Sequence, residues 1–193
     1  MVVEGLPQRG LVLVSGPSRG GKSSWAEHLA GLWEGPVHYL ATGPSPAGDP
    51  AWGQRVEAHQ RRRPLHWRSM EVAGALVEEL QTLSGQTAEI PAPCLLIDSL
   101  GTWLAWHLEE PEAAWRSRCE SLVEALLAQP GPVLVVIEET GWGVVPPTAI
   151  GGLFRDRLGA LQQRLMGCAA GAWLVVAGRA LNLMELGHIV PAA

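Results

Sequence analysis

The run Leu11-Val12-Leu13-Val14-Ser15-Gly16-Pro17-Ser18-Arg19-Gly20-Gly21-Lys22-Ser23-Ser24-Trp25-Ala26-Glu27-His28-Leu29-Ala30 decides the fold. Its first four residues are continuously apolar, as a strand covered on both faces requires. Its last seven read as a helix. Between them Gly16, Pro17, Ser18, Arg19, Gly20, Gly21, Lys22 and Ser23 fit G-x-x-x-x-G-K-[ST], and a strand before and a helix after make that pattern a phosphate-binding P-loop. Glycines let successive backbone N–H groups curl around phosphate oxygens, and the helix N-terminus adds a partial positive charge at the same point. Lys22 is placed for the terminal phosphates and Ser23 for a Mg²⁺ ion.

Outward from that loop, the 193 residues fit one domain, with 47% hydrophobic and 17% charged residues, a globular composition. A net charge of -5 argues against a nucleic-acid-binding role. Cys94, Cys119 and Cys168 are widely spaced and lack a C-x-x-C pair, so they read as buried thiols of a reducing cytoplasm. No apolar run reaches membrane-spanning length and no signal-peptide pattern opens the chain. The nine tryptophans have no spacing suited to base stacking, and most are assigned to core or subunit packing.

Residues 1–9 read as a flexible leader, 11–15 as the first strand and 22–33 as the first helix. A strand over 37–41 is followed by a Gly- and Pro-bearing loop over 42–50 and a helix over 52–60. Residues 65–69 suit a short strand, and 70–83 a helix with Val72, Leu76 and Leu80 on one face. Buried strands follow at 94–98, 133–137 and 173–177, with helices at 102–108, 112–128 and 150–168, and from Gly178 the pattern is weak. Strands alternating with helices predict an α/β fold with a mainly parallel sheet flanked by helices, and ligands at the strand C-terminal ends.

Asp98 closes a buried strand, where a P-loop enzyme needs a carboxylate for Mg²⁺ beside Ser23; helix capping is the simpler alternative. Glu138 and Glu139 close another strand and could hold Mg²⁺ or accept a substrate proton. His59 stands in Arg55-Val56-Glu57-Ala58-His59-Gln60-Arg61-Arg62-Arg63-Pro64. A histidine among arginines can attack an α-phosphate, yet residue types alone favour an exposed histidine on a basic helix end.

Taken together, these motifs resemble the bifunctional adenosylcobinamide kinase / adenosylcobinamide-phosphate guanylyltransferase family of cobalamin biosynthesis. The likeness runs over residues 11–177. It rests on the P-loop with Arg19, Tyr39-Leu40-Ala41-Thr42-Gly43, Arg55-Val56, His59, Arg63-Pro64, His66-Trp67-Arg68 and Glu71. Gly141-Trp142-Gly143-Val144-Val145-Pro146, Phe154-Arg155-Asp156 and Gln163-Arg164-Leu165 complete it. The resemblance implies a RecA-like P-loop core, a homotrimer, GTP and ATP as substrates with Mg²⁺, and two steps. Adenosylcobinamide is phosphorylated; then GTP guanylylates a histidine that passes GMP to the phosphate, giving adenosylcobinamide-GDP. It implies His59 as that histidine and GTP contacts from Ala41, Thr42, Gly43, Gln60, Arg61, Arg62, Arg63, Glu71 and Asp98; on this reading Lys22 holds the triphosphate and Glu139 orients or deprotonates the substrate hydroxyl in the kinase step. The chain departs from the family pattern at Ala51, Trp106, Glu138 and Gln162. A guanylyltransferase-only variant, another small-molecule kinase and a GTP-binding regulatory module stay open as readings.

Overall fold

In a computed structural model the described residues are 6–45, 50–86, 90–143 and 148–191, without the side chains of Ala51, Trp52 and Arg55. The first five residues of the expected leader, the middle of the 42–50 loop, the departure at Ala51 and Val144, Val145 and Pro146 of the Gly-Trp-Gly loop lie outside that description.

The elements run β1 (Gly10–Gly16), α1 (Lys22–Ala30), β2 (Val37–Ala41), α2 (Pro50–Arg62), β3 (Arg68–Glu71), α3 (Leu76–Ser84), β4 (Cys94–Asp98) and α4 (Leu100–Trp106). Then come α5 (Glu112–Leu127), β5 (Pro132–Glu138), α6 (Ala149–Met166), β6 (Ala169–Val176), β7 (Arg179–Asn182) and α7 (Leu183–Leu186). The seven strands form one sheet in the order β3-β2-β4-β5-β1-β6-β7. All neighbours are parallel except β7, which returns antiparallel along β6. The central strands β1, β4 and β5 are buried along almost their whole length, which is why their sequences are unbroken apolar runs.

Alternate residues divide the core. Leu11, Leu13, Leu95, Ile97, Val133 and Val135 face α3 to α6, together with Leu76, Leu80, Trp103 and Leu122. Val12, Val14, Tyr39, Leu96, Leu134 and Val136 face α1, with Ala26 and Leu29. Tyr39, Asp98 and Glu138 continue this second set toward the strand C-terminal ends.

Two expectations are corrected. Residues 70–83 are not one helix: Met70 and Glu71 finish β3, and α3 begins only at Leu76. The free edge of β2 needs hydrogen-bonding partners, and β3 supplies them in register from His38↔Arg68 to Ala41↔Glu71. The N–H groups of Val72 and Ala73 then both donate to the Ala41 carbonyl, at 2.8 and 3.2 Å, and Ala73 turns at φ 47° before the helix. The tail after Gly178 is also structured, as β7 and a short α7 whose Asn182 side chain caps Met184. Residue 6 packs on the α1-side core and Arg9 donates to the Leu127 carbonyl at 3.2 Å.

Candidate active site

The P-loop bends as it does because β6 crowds it. A Cβ on Gly16 (φ 150°) would collide with the Val175 carbonyl oxygen, and one on Gly20 would stand 2.8 Å from the same atom. Gly21 precedes α1 at φ 105° and Arg19 turns at φ 59°. Lys22 is buried and its Nζ folds back to the Pro17 carbonyl at 2.9 Å.

A cleft of about 280 Å³ opens at the C-terminal ends of β1, β2, β4 and β5. Ten of the residues expected to act there line it: Ser18, Lys22, Ser23, Ala41, Gly43, His59, Gln60, Arg63, Glu71 and Asp98. The polar centre is Asp98. The Tyr39 hydroxyl donates to its Oδ2 at 2.6 Å, and His59 Nδ1 faces the same oxygen at 3.5 Å. Burial alone would raise the Asp98 carboxyl; polar contacts from His59, Tyr39 and Ser23 overcome it and hold the group below its usual value. Burial, then the Asp98 charge, push the Tyr39 phenol up, so it remains a donor.

Other expected residues stand behind or beside the wall. Thr42 is fully buried, its hydroxyl donating to the Ser99 carbonyl at 2.6 Å and accepting from Ser99 N–H at 2.9 Å. Arg61 pairs with Glu57 on its own helix, and Arg62 reaches Glu27 of α1 at 3.1 and 3.2 Å. Of the two carboxylates closing β5, Glu138 lines the cleft, accepting from the Ser99 hydroxyl and, at 2.9 Å, from Gly101 N–H. Glu139 is anchored by its N–H on the Gly16 carbonyl at 2.8 Å and accepts from Gln162 Nε2 at 2.6 Å. Three of the departures thus have structural partners: Glu138 is held by Ser99 and Gly101, Gln162 holds Glu139, and the Trp106 indole N–H donates to the Thr42 carbonyl at 2.9 Å.

Residues 12–183 match the model of the cobinamide kinase / cobinamide phosphate guanyltransferase family. The chain belongs to this family. Among curated relatives, the bifunctional adenosylcobalamin biosynthesis protein CobP of Pseudomonas aeruginosa is 37% identical over 173 residues, 89% of this chain and 95% of the relative. Its counterpart CobU of Escherichia coli is 33% identical over 177 residues, 87% and 96% of the two chains. Among solved structures, a KaiC-like protein of Pyrococcus horikoshii aligns with TM-score 0.52 at 20% identity, covering 88% of this chain and 72% of that one. That likeness concerns the fold, which is the RecA-like P-loop core expected from the sequence.

For a cobinamide kinase / cobinamide phosphate guanyltransferase the cleft has suitable parts: a phosphate cradle, a carboxylate and a histidine on one wall. Ser99 was not singled out by the sequence, and Tyr39 only as part of the motif that runs to Gly43, whereas Glu138 was expected at the site and lines it. Tyr39 carries a signal only in hindsight, as the sole tyrosine of the chain, on the strand that leads to Ala41 and Gly43. Among the described residues no helix is long and apolar enough to cross a membrane.

Proposed function

We propose that this chain performs both reactions for which its family is named in one cleft, using GTP for guanylylation and GTP or ATP for the kinase step. The supporting observation is that His59 lines the same cleft as Lys22, Ser23 and Asp98. Phosphates would rest on the P-loop amides and Lys22. Ser23 and Asp98 offer hard oxygen donors, and no cluster of three metal-binding side chains exists among the described residues. That donor set fits Mg²⁺, which takes one or two protein oxygens and completes its shell with water and phosphate. The ion would neutralise charge on the β- and γ-phosphates.

In the kinase step the acceptor hydroxyl attacks the γ-phosphorus, its proton passes to a carboxylate, and the nucleoside diphosphate leaves. Both oxygens of Glu138 are already engaged by Ser99 and Gly101, whereas Gln162 alone binds the Glu139 carboxylate among the described residues. Glu139, which directly follows the cleft-lining Glu138, is therefore the proposed base for an acceptor hydroxyl bound beside the nucleotide. In the transferase step His59 attacks the α-phosphorus of GTP, a P–N bond forms, and the bond to the leaving pyrophosphate breaks. Nδ1 faces Asp98, which leaves Nε2 as the attacking nitrogen. A phosphate oxygen of cobinamide phosphate then takes the GMP and restores the imidazole.

The test is incubation with α-labelled GTP followed by denaturation. Acid-labile, base-stable label that is lost in His59→Ala, with GTP binding retained, is the expected result; label persisting in His59→Ala removes His59 from this role. Absence of label with phosphorylation of added cobinamide intact would leave a kinase alone. A homotrimer and a cytoplasmic location complete the proposal. The three cysteines are unpaired, and burial pushes the Cys94 thiol up to about 12 and Cys119 to about 11, as suits inert thiols of a reducing compartment.

A further inference from the structure

Three consecutive arginines end α2 and the turn after it, and they are held in three different ways. Arg61 pairs with Glu57 and Arg62 with Glu27, so each has a carboxylate of its own. Arg63 has none among the described residues. Its guanidinium lies over the Tyr39 ring, 3.3 Å from the centroid, and Nη1 makes only a long contact of 3.4 Å to the Ser69 hydroxyl. Its Nε is buried without a hydrogen-bond partner. A cation carried on an aromatic face keeps its full charge and its N–H groups for another anion, whereas one paired with a carboxylate does not. Arg63 also lines the cleft beside His59 and Gln60.

The other end of Tyr39 is equally committed. The side chain is 1% exposed, on the β2 neighbour of the strand that carries Asp98, and its hydroxyl donates to Asp98 Oδ2 at 2.6 Å. That is the oxygen His59 Nδ1 faces. One rigid side chain thus spans from the cation over its ring to the carboxylate that orients the histidine.

We propose that Tyr39 is a positioning residue for guanylyl transfer, its ring fixing the Arg63 guanidinium for a nucleotide phosphate and its hydroxyl fixing the Asp98 oxygen that orients His59. This rests on the one-cleft reading given above. The two ends are separable by substitution. Phenylalanine keeps the face under Arg63 and removes the donor to Asp98. Leucine removes both. Arg63→Lys keeps the charge but cannot lie flat on a ring.

The experiment uses the full chain and measures three quantities for each variant: equilibrium GTP affinity, the initial rate of covalent labelling from α-labelled GTP at saturating GTP, and Tm. Tyr39→Phe should bind GTP within about twofold of the parent while its labelling rate falls about tenfold, the scale of one lost hydrogen bond to a charged group. Arg63→Lys and Tyr39→Leu should each lower GTP affinity about fivefold, and the double variant should be no weaker than Tyr39→Leu alone. Labelling at the parental rate in Tyr39→Phe overturns the hydroxyl's role. Parental affinity in Arg63→Lys overturns the ring's role, and this arm stands even if Tyr39→Leu does not fold. A parallel loss of affinity, rate and Tm in Tyr39→Phe would make the residue merely structural and overturn the proposal. If the parent itself takes no label, the covalent reading of His59 fails, and the affinity series alone decides whether Tyr39 positions Arg63.

Discussion

Tyr39, His59 and Ser23 converge on Asp98, a carboxylate that burial would otherwise disfavour in its charged form. Replacing it by Asn keeps the shape but removes the charge and turns one acceptor into a donor. Asp98→Asn should therefore slow both labelling from GTP and cobinamide phosphorylation by about 10² or more, measured as initial rates at saturating nucleotide. Glu139 stands apart from this group, tied to Gln162. If it is the kinase base, Glu139→Gln should reduce phosphorylation of cobinamide by about 10²-fold while covalent labelling stays within a few-fold. Equal loss of both activities would refute that division of labour.

At the scale of elements, the P-loop depends on β6 as much as on its own glycines. The Val175 carbonyl occupies the space a side chain at Gly16 would need, at a φ of 150° that L-residues avoid. Gly16→Ala should lower Tm by several degrees and abolish GTP binding together, since the loop cannot be shifted without moving β6, an interior strand of the sheet. The turn between α4 and α5 is held differently. Arg157 of α6 donates to the carbonyls of Leu108 and Glu110 at 2.9 and 2.8 Å, and the Glu110 carboxylate accepts from Arg118 at 2.9 Å and contacts His107 at 3.1 Å. The hydrogen bond from Arg118 holds the Glu110 carboxyl below its usual value despite some burial. A lowered carboxyl contributes stability above its unfolded pKa, and that contribution is lost as pH falls through the folded value. The Tm advantage of the parent over Glu110→Gln should therefore be full near pH 6 and vanish on acidification below the ordinary glutamate range of about 4.3. Glu110 is partly exposed, so the advantage is small and shrinks further in high salt.

At the scale of the molecule, α2 sits across the C-terminal end of the sheet through polar contacts from its last residues: His59 to Asp98, Arg62 to Glu27 and, just beyond, Arg63 on Tyr39. A nucleotide bridging the P-loop and these residues would couple the helix to the sheet. Saturation at 100 times Kd adds about 2.7 kcal/mol, which for a chain of this size raises Tm by roughly 5–10 °C. Thermal unfolding with GTP and Mg²⁺ should show that rise, and Lys22→Ala should show little of it. The proposed trimer predicts a solution mass near three times the 20.6 kDa of one chain, read by light scattering.

Legibility followed from how local each signal is. The unbroken apolar runs Leu11-Val12-Leu13-Val14 and Cys94-Leu95-Leu96-Ile97, and the glycine loop between strand and helix, carry their conformation in neighbouring residues, so the P-loop, the parallel sheet and Asp98 at a strand end were readable directly. Residues 70–75 were not, because helical spacing of Val72, Leu76 and Leu80 competed with the demand of a distant strand edge, and the edge prevailed. The same holds at the site. The sequence by itself determined that a P-loop stands between a strand and a helix and that a histidine lies within an arginine-rich segment. Only the tertiary structure decided that Glu138 rather than Glu139 lines the cleft, that Arg63 alone of the three arginines does so, and that Tyr39 joins it to Asp98. Those outcomes turn on contacts between residues dozens of positions apart, fixed by strand register and helix packing, which no local pattern encodes.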